Sequence, residues 1–130
     1  MTYLLDTNAC IDFIRDVGQT RRRMKSKPFS EFCLSSIVVA ELMYGAKRSP
    51  NIDKHVPATQ NFCKKFKIVD FDESAAATFG DVRLQLEREG LPIGAYDMLI
   101  AAQAKSLNLI CVTNDQGFRR VNGLAVEDWR

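Results

Sequence analysis

Four acidic residues of this sequence stand in places where an acid is unusual. Asp6 and Asp115 each follow the end of an apolar run, whereas Glu41 and Asp97 lie in apolar segments with no basic residue one helical turn away. An unpaired carboxylate on an apolar face is costly unless something neutralises its charge. Two carboxylates about 4 Å apart repel each other by roughly 4 kcal/mol at an effective dielectric of 20. If the four acids meet, some of them must be protonated or a cation must be bound.

The chemistry that such a cation supports is phosphodiester hydrolysis. A site with only oxygen ligands favours Mg²⁺ or Mn²⁺ over zinc. An ion of this kind can activate water and stabilise the charge that develops during an in-line displacement. The reaction needs no serine, cysteine or histidine nucleophile, and the sequence offers no convincing one. His55 is the only histidine and the four cysteines form no Cys-x-x-Cys pair, so the usual spacing of a zinc site is absent.

Each acid also has an ordinary structural explanation. Asp6 could cap the helix that follows it, although Thr7 and Asn8 lie closer to that helix and would leave Asp6 free. Asp97 could be a first-turn acid that the helix dipole favours, and Asp115 could be a plain turn aspartate. Glu87 shows the ordinary case, because Arg83 lies four residues away and can pair with it. No such basic partner at helical spacing is available to Glu41 or Asp97.

The elements that must position these acids alternate between strands and helices. Short apolar runs predict strands at 3–5, 31–35, 67–71, 109–113 and 124–126. Helical patterns lie at 9–16, 19–27, 37–47, 53–66 with an interruption near Pro57, 72–89 and around Asp97. This alternation predicts an α/β sandwich with a mostly parallel sheet. Ligands bind at the carboxyl ends of such strands, and right-handed crossovers can bring all four acids to that edge.

The composition is that of a globular protein with one domain spanning residues 1–130. Hydrophobic residues make up 46% of the chain and charged residues 26%, and no apolar run reaches the length of a membrane span. The N-terminus lacks a signal-peptide pattern, so we expect a cytoplasmic protein with reduced cysteines in or near its core. The basic residues of Arg21–Lys27 and Arg119–Arg120 are candidate contacts for RNA or a protein partner, although a solvated surface explains them equally well.

An ordered set of motifs resembles the PIN-domain proteins, and within them the VapC toxins. The set covers essentially the whole chain in the right order. Its members are Leu4–Asn8, Ser36–Gly45 with Glu41 inside it, Ile93–Ala102 around Asp97, Val112–Asp115, and the closing Leu124–Trp129.

The resemblance implies a three-layer PIN-like sandwich, with a central sheet of four to five mostly parallel strands flanked by helices. It also implies a metal-dependent endoribonuclease in which Asp6 and Asp97 are the first metal ligands and Glu41 and Asp115 complete the site. One of the carboxylates would orient or deprotonate the attacking water. A supporting polar shell would comprise four further residues, Thr7, Asn8, Thr113 and Asn114.

The same resemblance implies the cofactor and the partners. These are Mg²⁺ or Mn²⁺, a second copy of the chain in a homodimer, and a VapB-type antitoxin whose tail blocks the site in a larger toxin–antitoxin complex. The implied substrate is tRNA, with the anticodon loop of initiator tRNA favoured. One position departs from the pattern, because many relatives carry asparagine where this sequence has Tyr96 immediately before Asp97.

Other function classes fit the residues less well. A phosphotransferase of the haloacid-dehalogenase type needs Asp-x-Asp after its first strand, and Asn8 takes the place of its general acid. A receiver domain needs a lysine after a late strand, where this chain has Asn114-Asp115. A non-catalytic RNA-binding domain with the same pocket, and a PIN nuclease of RNA processing, both stay open as alternatives.

Overall fold

A five-stranded parallel sheet forms the middle layer of the computed structural model, which covers residues 1–130. Its strand order is β3-β2-β1-β4-β5, and every neighbouring pair is parallel. The prediction of a mostly parallel sheet is therefore confirmed. The last strand lies one to two residues later than predicted. The strands are β1 (Tyr3–Leu5), β2 (Phe32–Ser35), β3 (Lys67–Val69), β4 (Ile110–Val112) and β5 (Val126–Glu127).

Six α-helices flank the sheet and complete the predicted α/β sandwich. They are α1 (Thr7–Arg15), α2 (Thr20–Lys25), α3 (Ser36–Lys47), α4 (Ile52–Cys63), α5 (Glu73–Glu89) and α6 (Ala95–Ser106), with 3₁₀ turns at Phe29–Glu31 and Gln116–Arg120. The predicted interruption near Pro57 is wrong, because α4 continues through the proline. Phe62, which is buried in the core beyond Pro57, anchors the second half of that helix.

The centre of the core is β1, which is covered on both faces. Leu4 and Leu5 are fully buried, as expected for the middle strand of a parallel sheet. An aromatic cluster extends this core towards the C-terminus, where Trp129 packs edge-on against Tyr3 and Phe32. Trp129 thereby attaches the closing residues to β1 and β2, and β5 pairs with β4 at the edge of the sheet.

The cysteines behave as predicted for a reduced protein. Cys10, Cys33 and Cys111 are buried, Cys63 is partly buried, and all four are free thiols. Burial raises the pKa of each of the four thiols, so they are held in the neutral form. None of the helices combines the length and the apolar character that crossing a bilayer requires.

Candidate functional site

The site lies where the chain reverses its winding direction across the sheet. After β1 the chain adds β2 and β3 on one side, and it later adds β4 and β5 on the other. In open α/β sheets this switch point leaves a crevice at the carboxyl ends of the two central strands. Leu5 of β1 pairs with Val112 of β4, and the backbone N–H of Asp6 donates to the Val112 carbonyl at 3.1 Å. The residues that follow these strands therefore meet.

Asp6 is the N-cap of α1, contrary to the expectation that Thr7 or Asn8 would serve as the cap. Its Oδ1 accepts a hydrogen bond from the N–H of Ala9 at 2.7 Å, and the side chain is nearly inaccessible, with 2% of its surface exposed. The expectation is wrong because Thr7 is already helical, which leaves Asp6 as the last extended residue. Capping uses Oδ1 of Asp6, and the same carboxyl also accepts a hydrogen bond from the Thr113 hydroxyl.

The environment of Asp6 strongly favours its neutral form. Burial raises the pKa of this carboxyl to about 7, and the charges of Asp97 and Asp115 also act to raise it. Hydrogen bonds from the Thr113 hydroxyl and the Ala9 N–H oppose the change by stabilising the carboxylate. Asp6 is therefore a buried, hydrogen-bonded acid close to other acids, and a bound cation would offset the repulsion between them.

Glu41 is held beside this group by the start of α1. It projects from the middle of α3, a helix that begins after the cap formed by Ser35, whose hydroxyl accepts from the N–H of Ile37. The hydroxyl of Thr7 donates to Glu41 Oε1 at 2.7 Å, so the residue next to Asp6 fixes the second acid. The ion pairs of the structure, Arg21–Asp16, Arg83–Glu87 and Arg130–Asp12, include none of the four acids.

Asp97 and Asp115 form a coupled pair. Asp97 lies in the first turn of α6, and burial raises the pKa of its carboxyl to about 6, with further contributions from the charges of Asp115 and Glu41. A hydrogen bond between the two carboxyl groups also raises this pKa, because it requires Asp97 to carry the proton. Asp115 Oδ1 also accepts from the N–H of Gly117 at 2.8 Å, and this bond fixes the turn after β4.

The structure thus brings the four predicted acids to one place, which we call the acidic edge. Asp6 senses the charges of Asp97 and Asp115, and Asp97 senses those of Asp115 and Glu41. No three acidic, cysteine or histidine side chains stand in the geometry of a ready-made ligand set. An oxygen-only donor set with no basic partner, in which the pKa values of Asp6 and Asp97 are raised, fits a hard divalent cation.

Two of the four residues predicted for the polar shell contact the acids. Thr7 binds Glu41, and the Thr113 hydroxyl accepts from the N–H of Asp115 at 3.0 Å while it donates to Asp6. The Oδ1 atom of Asn114 is buried and has no hydrogen-bond partner, but Asn114 lines a small pocket with Asp12, Trp129 and Arg130 and not with the four acids. Asn8 is exposed on the first turn of α1.

Gly117 is a positioning residue that the sequence patterns did not single out. A Cβ at this position would lie 3.0 Å from Ile93 Cγ2 and 3.1 Å from Asp115 Oδ1, so a larger residue would push against both side chains. The turn sequence that ends in Gly117, two residues after Asp115, was the available signal. Asp12 is also buried, but it pairs with Arg130 at 3.7 Å rather than with the acidic edge.

Comparisons with known proteins agree with this geometry. The PIN domain family model matches residues 3–124. The tRNA(fMet)-specific endonuclease VapC of Salmonella typhimurium is 36% identical over 130 residues, which are 99% of this chain and 98% of that protein. Ribonuclease VapC2 of Haemophilus influenzae is 35% identical over the same shares of both chains.

Solved structures give the same result for the fold. A chain in the DNA-bound VapBC of Salmonella typhimurium superimposes with a TM-score of 0.94 at 36% identity, covering 100% of this chain and 99% of that one. A chain in VapBC2 of Rickettsia felis, bound to a promoter DNA fragment, gives 0.92 at 32% identity with full coverage of both chains.

The raised pKa of Asp6 makes stability depend on pH. Asp6 titrates near 3.8 in the unfolded chain and at about 7 in the folded protein. Between these values the folded state binds more protons, so the free energy of unfolding falls as the pH rises and levels off above about pH 7. The total loss has an upper limit of about 4 kcal/mol, because each tenfold change in proton affinity corresponds to about 1.4 kcal/mol.

Replacing Asp6 by asparagine should remove this loss, since asparagine is also a good N-cap. We expect Asp6→Asn to match the parent near about pH 4 and to exceed its stability by up to about 4 kcal/mol near about pH 8. Urea unfolding followed by circular dichroism in EDTA measures both values. Asp81→Asn, which changes an exposed acid on α5, is the control and should show no such difference. Parallel pH profiles for the parent and Asp6→Asn would contradict the assignment.

Proposed function

Because the chain belongs to the PIN-domain family and to its VapC branch, we propose that it is the toxin ribonuclease of a type II toxin–antitoxin pair. The reaction is the hydrolysis of RNA phosphodiester bonds. The observation that carries the proposal is the acidic edge itself, where four coupled carboxyl groups meet at the switch point of the sheet without a basic partner. Such a site suits a divalent cation and a polyanionic substrate.

The cofactor in this proposal is Mg²⁺ or Mn²⁺. Asp6 and Asp97 would hold the ion, and Glu41 and Asp115 would complete its surroundings directly or through water. When bound, the ion supplies activation of the attacking water and stabilisation of the charge on the reacting phosphate. The oxygen-only donors of the acidic edge support this choice, because hard divalent cations prefer carboxylate oxygens.

The residues of the chain hold the acids in place and accept a proton. The Ala9 N–H and the Thr113 hydroxyl orient Asp6, and Thr7 orients Glu41. Glu41 or Asp115, whichever does not bind the ion directly, would orient the attacking water and take its proton onto a carboxylate oxygen. Since these contacts come from backbone N–H groups and short side chains, the site is rigid before substrate binds.

The substrate and partners follow from the relatives. The Salmonella protein is named for its action on tRNA(fMet), and we propose tRNA, with the anticodon loop of the initiator species favoured, as the substrate of this chain. Similar solved structures are VapBC complexes, which supports a VapB-type antitoxin as the protein partner of a homodimeric toxin. A tRNA substrate supports a cytoplasmic location.

Cleavage assays on acid-to-amide variants test the assignment of the site. We expect Asp6→Asn and Asp97→Asn each to lower the rate of RNA cleavage by at least about 100-fold, because each removes a ligand charge from the acidic edge. The assay uses antitoxin-free protein, total bacterial RNA and Mg²⁺, with gel analysis and fragment mapping. EDTA should abolish cleavage, whereas Asp81→Asn should cleave at the parent rate.

Two results would contradict the proposal in different ways. Cleavage at the parent rate by either amide variant would mean that the reaction is carried out elsewhere in the chain. Well-folded parent protein that binds RNA but cuts none would indicate the non-catalytic RNA-binding domain instead.

Metal binding has a readout that is independent of activity. A ligand that binds only the folded state stabilises it by about 2.7 kcal/mol at about 100 times its dissociation constant. We therefore expect Mg²⁺ to raise the thermal unfolding midpoint of the parent and to leave that of Asp97→Asn almost unchanged. Circular dichroism melts with and without Mg²⁺ provide the measurement. Equal increases in both proteins would show that the ion binds elsewhere.

Growth experiments test the assignment as a toxin. Expression of the chain should arrest bacterial growth, and co-expression of the neighbouring antitoxin should relieve the arrest because its tail blocks the acidic edge. Asp6→Asn, expressed to the same level as judged by immunoblot, should allow normal growth. Equal arrest by Asp6→Asn would indicate a toxic mechanism other than cleavage.

A further inference from the structure

Tyr96 is an aromatic residue for which the fold has no evident use. Seven other aromatic residues pack together in the core, and Tyr44 lies against the guanidinium of Arg48 at 5.3 Å. Tyr96 takes part in none of these ring contacts, and 61% of its surface is exposed. Stability therefore does not account for a large aromatic side chain at this position.

Tyr96 lies at the rim of the acidic edge. It immediately precedes Asp97 in the first turn of α6, and the Cα atoms of neighbouring residues are about 3.8 Å apart. Successive side chains on a helix differ by about 100° in direction, since a turn holds about 3.6 residues. With Asp97 turned towards Asp115 and Glu41, the ring of Tyr96 is left on the open side of the same turn.

The backbone that carries Tyr96 is firmly attached to the rest of the protein. The N–H of Leu91 donates to the Leu86 carbonyl at 2.9 Å, and Arg120 Nη1 donates to the Pro92 carbonyl at 3.0 Å. Ile93 packs against the core and lies close to Gly117. The segment that leads into α6 is thus fixed from both sides, which fixes the backbone position from which the ring projects.

We propose that Tyr96 is a stacking platform for an unpaired RNA base next to the phosphate at the acidic edge. This inference rests on the proposed function and deepens it. Bases stack on exposed aromatic rings with little dependence on sequence. An uncharged ring also suits this place, since a lysine or arginine here would pair with the carboxylates and compete with the cation. A base inside a duplex has both faces covered, so the platform favours RNA that is unpaired at the cut site.

The experiment uses a single-stranded oligoribonucleotide that carries the fluorescent base 2-aminopurine. All proteins tested contain Asp6→Asn, which prevents cleavage under the proposed function. Stacking on the ring should quench the fluorescence of the bound base. Adding Tyr96→Ala should abolish this quenching and raise the dissociation constant roughly tenfold, the factor expected for the loss of one stacked base. Adding Tyr96→Phe should preserve both properties.

Two controls separate stacking from other effects. Leu107, also an exposed apolar residue, follows the opposite end of α6, about 17 Å away by the rise of the helix. Leu107→Ala should bind and quench as the parent does. A fully paired duplex of the same sequence should bind with equal affinity to the Tyr96→Ala protein and to its parent, because its bases cannot reach the ring.

Each contrary outcome has a distinct meaning. Unchanged quenching and affinity in the Tyr96→Ala protein would overturn the stacking proposal while leaving the proposed function intact. Unchanged RNA binding together with a loss of dimers in sedimentation would assign the ring to a protein contact instead, and would also overturn it. If no variant, including the Tyr96 parent, bound single-stranded RNA, the stacking platform would be wrong, whereas the proposed function is decided separately by the cleavage assay on total bacterial RNA.

Discussion

The repulsion between carboxylates at the end of the central strands is the constraint on which the rest of the site depends. Asp6 and Asp97 lie in a place where burial and neighbouring acids raise the pKa values of both. No basic side chain offsets the charge, and the only compensation comes from hydrogen bonds donated by the backbone and by two threonines. The repulsion lowers the stability of the folded protein, and the same charges attract a cation. Such a loss of stability is common at functional sites.

The sheet topology places these carboxylates at a crevice that a ligand can reach. Reversal of the winding direction between β1 and β4 opens a crevice at their carboxyl ends, and the start of α1 closes one side of it. Asp6 connects the crevice with this helix, because it directly follows β1 and is the N-cap of α1. The N–H groups of this helix end and of the turn at Gly117 hold carboxylates in fixed directions. Local backbone geometry therefore provides the rigidity that the chemistry needs.

Much of the fold could be predicted from residue patterns alone. The strand at Tyr3–Leu5, the long helix before Gly90 and the parallel sheet all follow from apolar periodicity and end signals. The failures have local causes. Pro57 did not break α4, because the core contact of Phe62 outweighs one lost backbone hydrogen bond. The sequence suggested that Thr7 or Asn8 would cap α1 and leave Asp6 free of that role. It does not reveal that the helix already begins at Thr7, which makes Asp6 the cap.

The sequence by itself determined which acids lack a partner, because charge pairing within a helix depends only on spacing. The absence of a basic residue near Glu41 and Asp97 is visible without coordinates, and so is the supply of oxygen ligands. Only the tertiary structure decided that these acids share one environment, that Thr7 and Thr113 bridge them, and that the ring of Tyr96 is left exposed beside them. The reason is physical: burial, desolvation and through-space repulsion act between residues at least 18 positions apart, and their strength is set by distances that only the packed sheet and helices define.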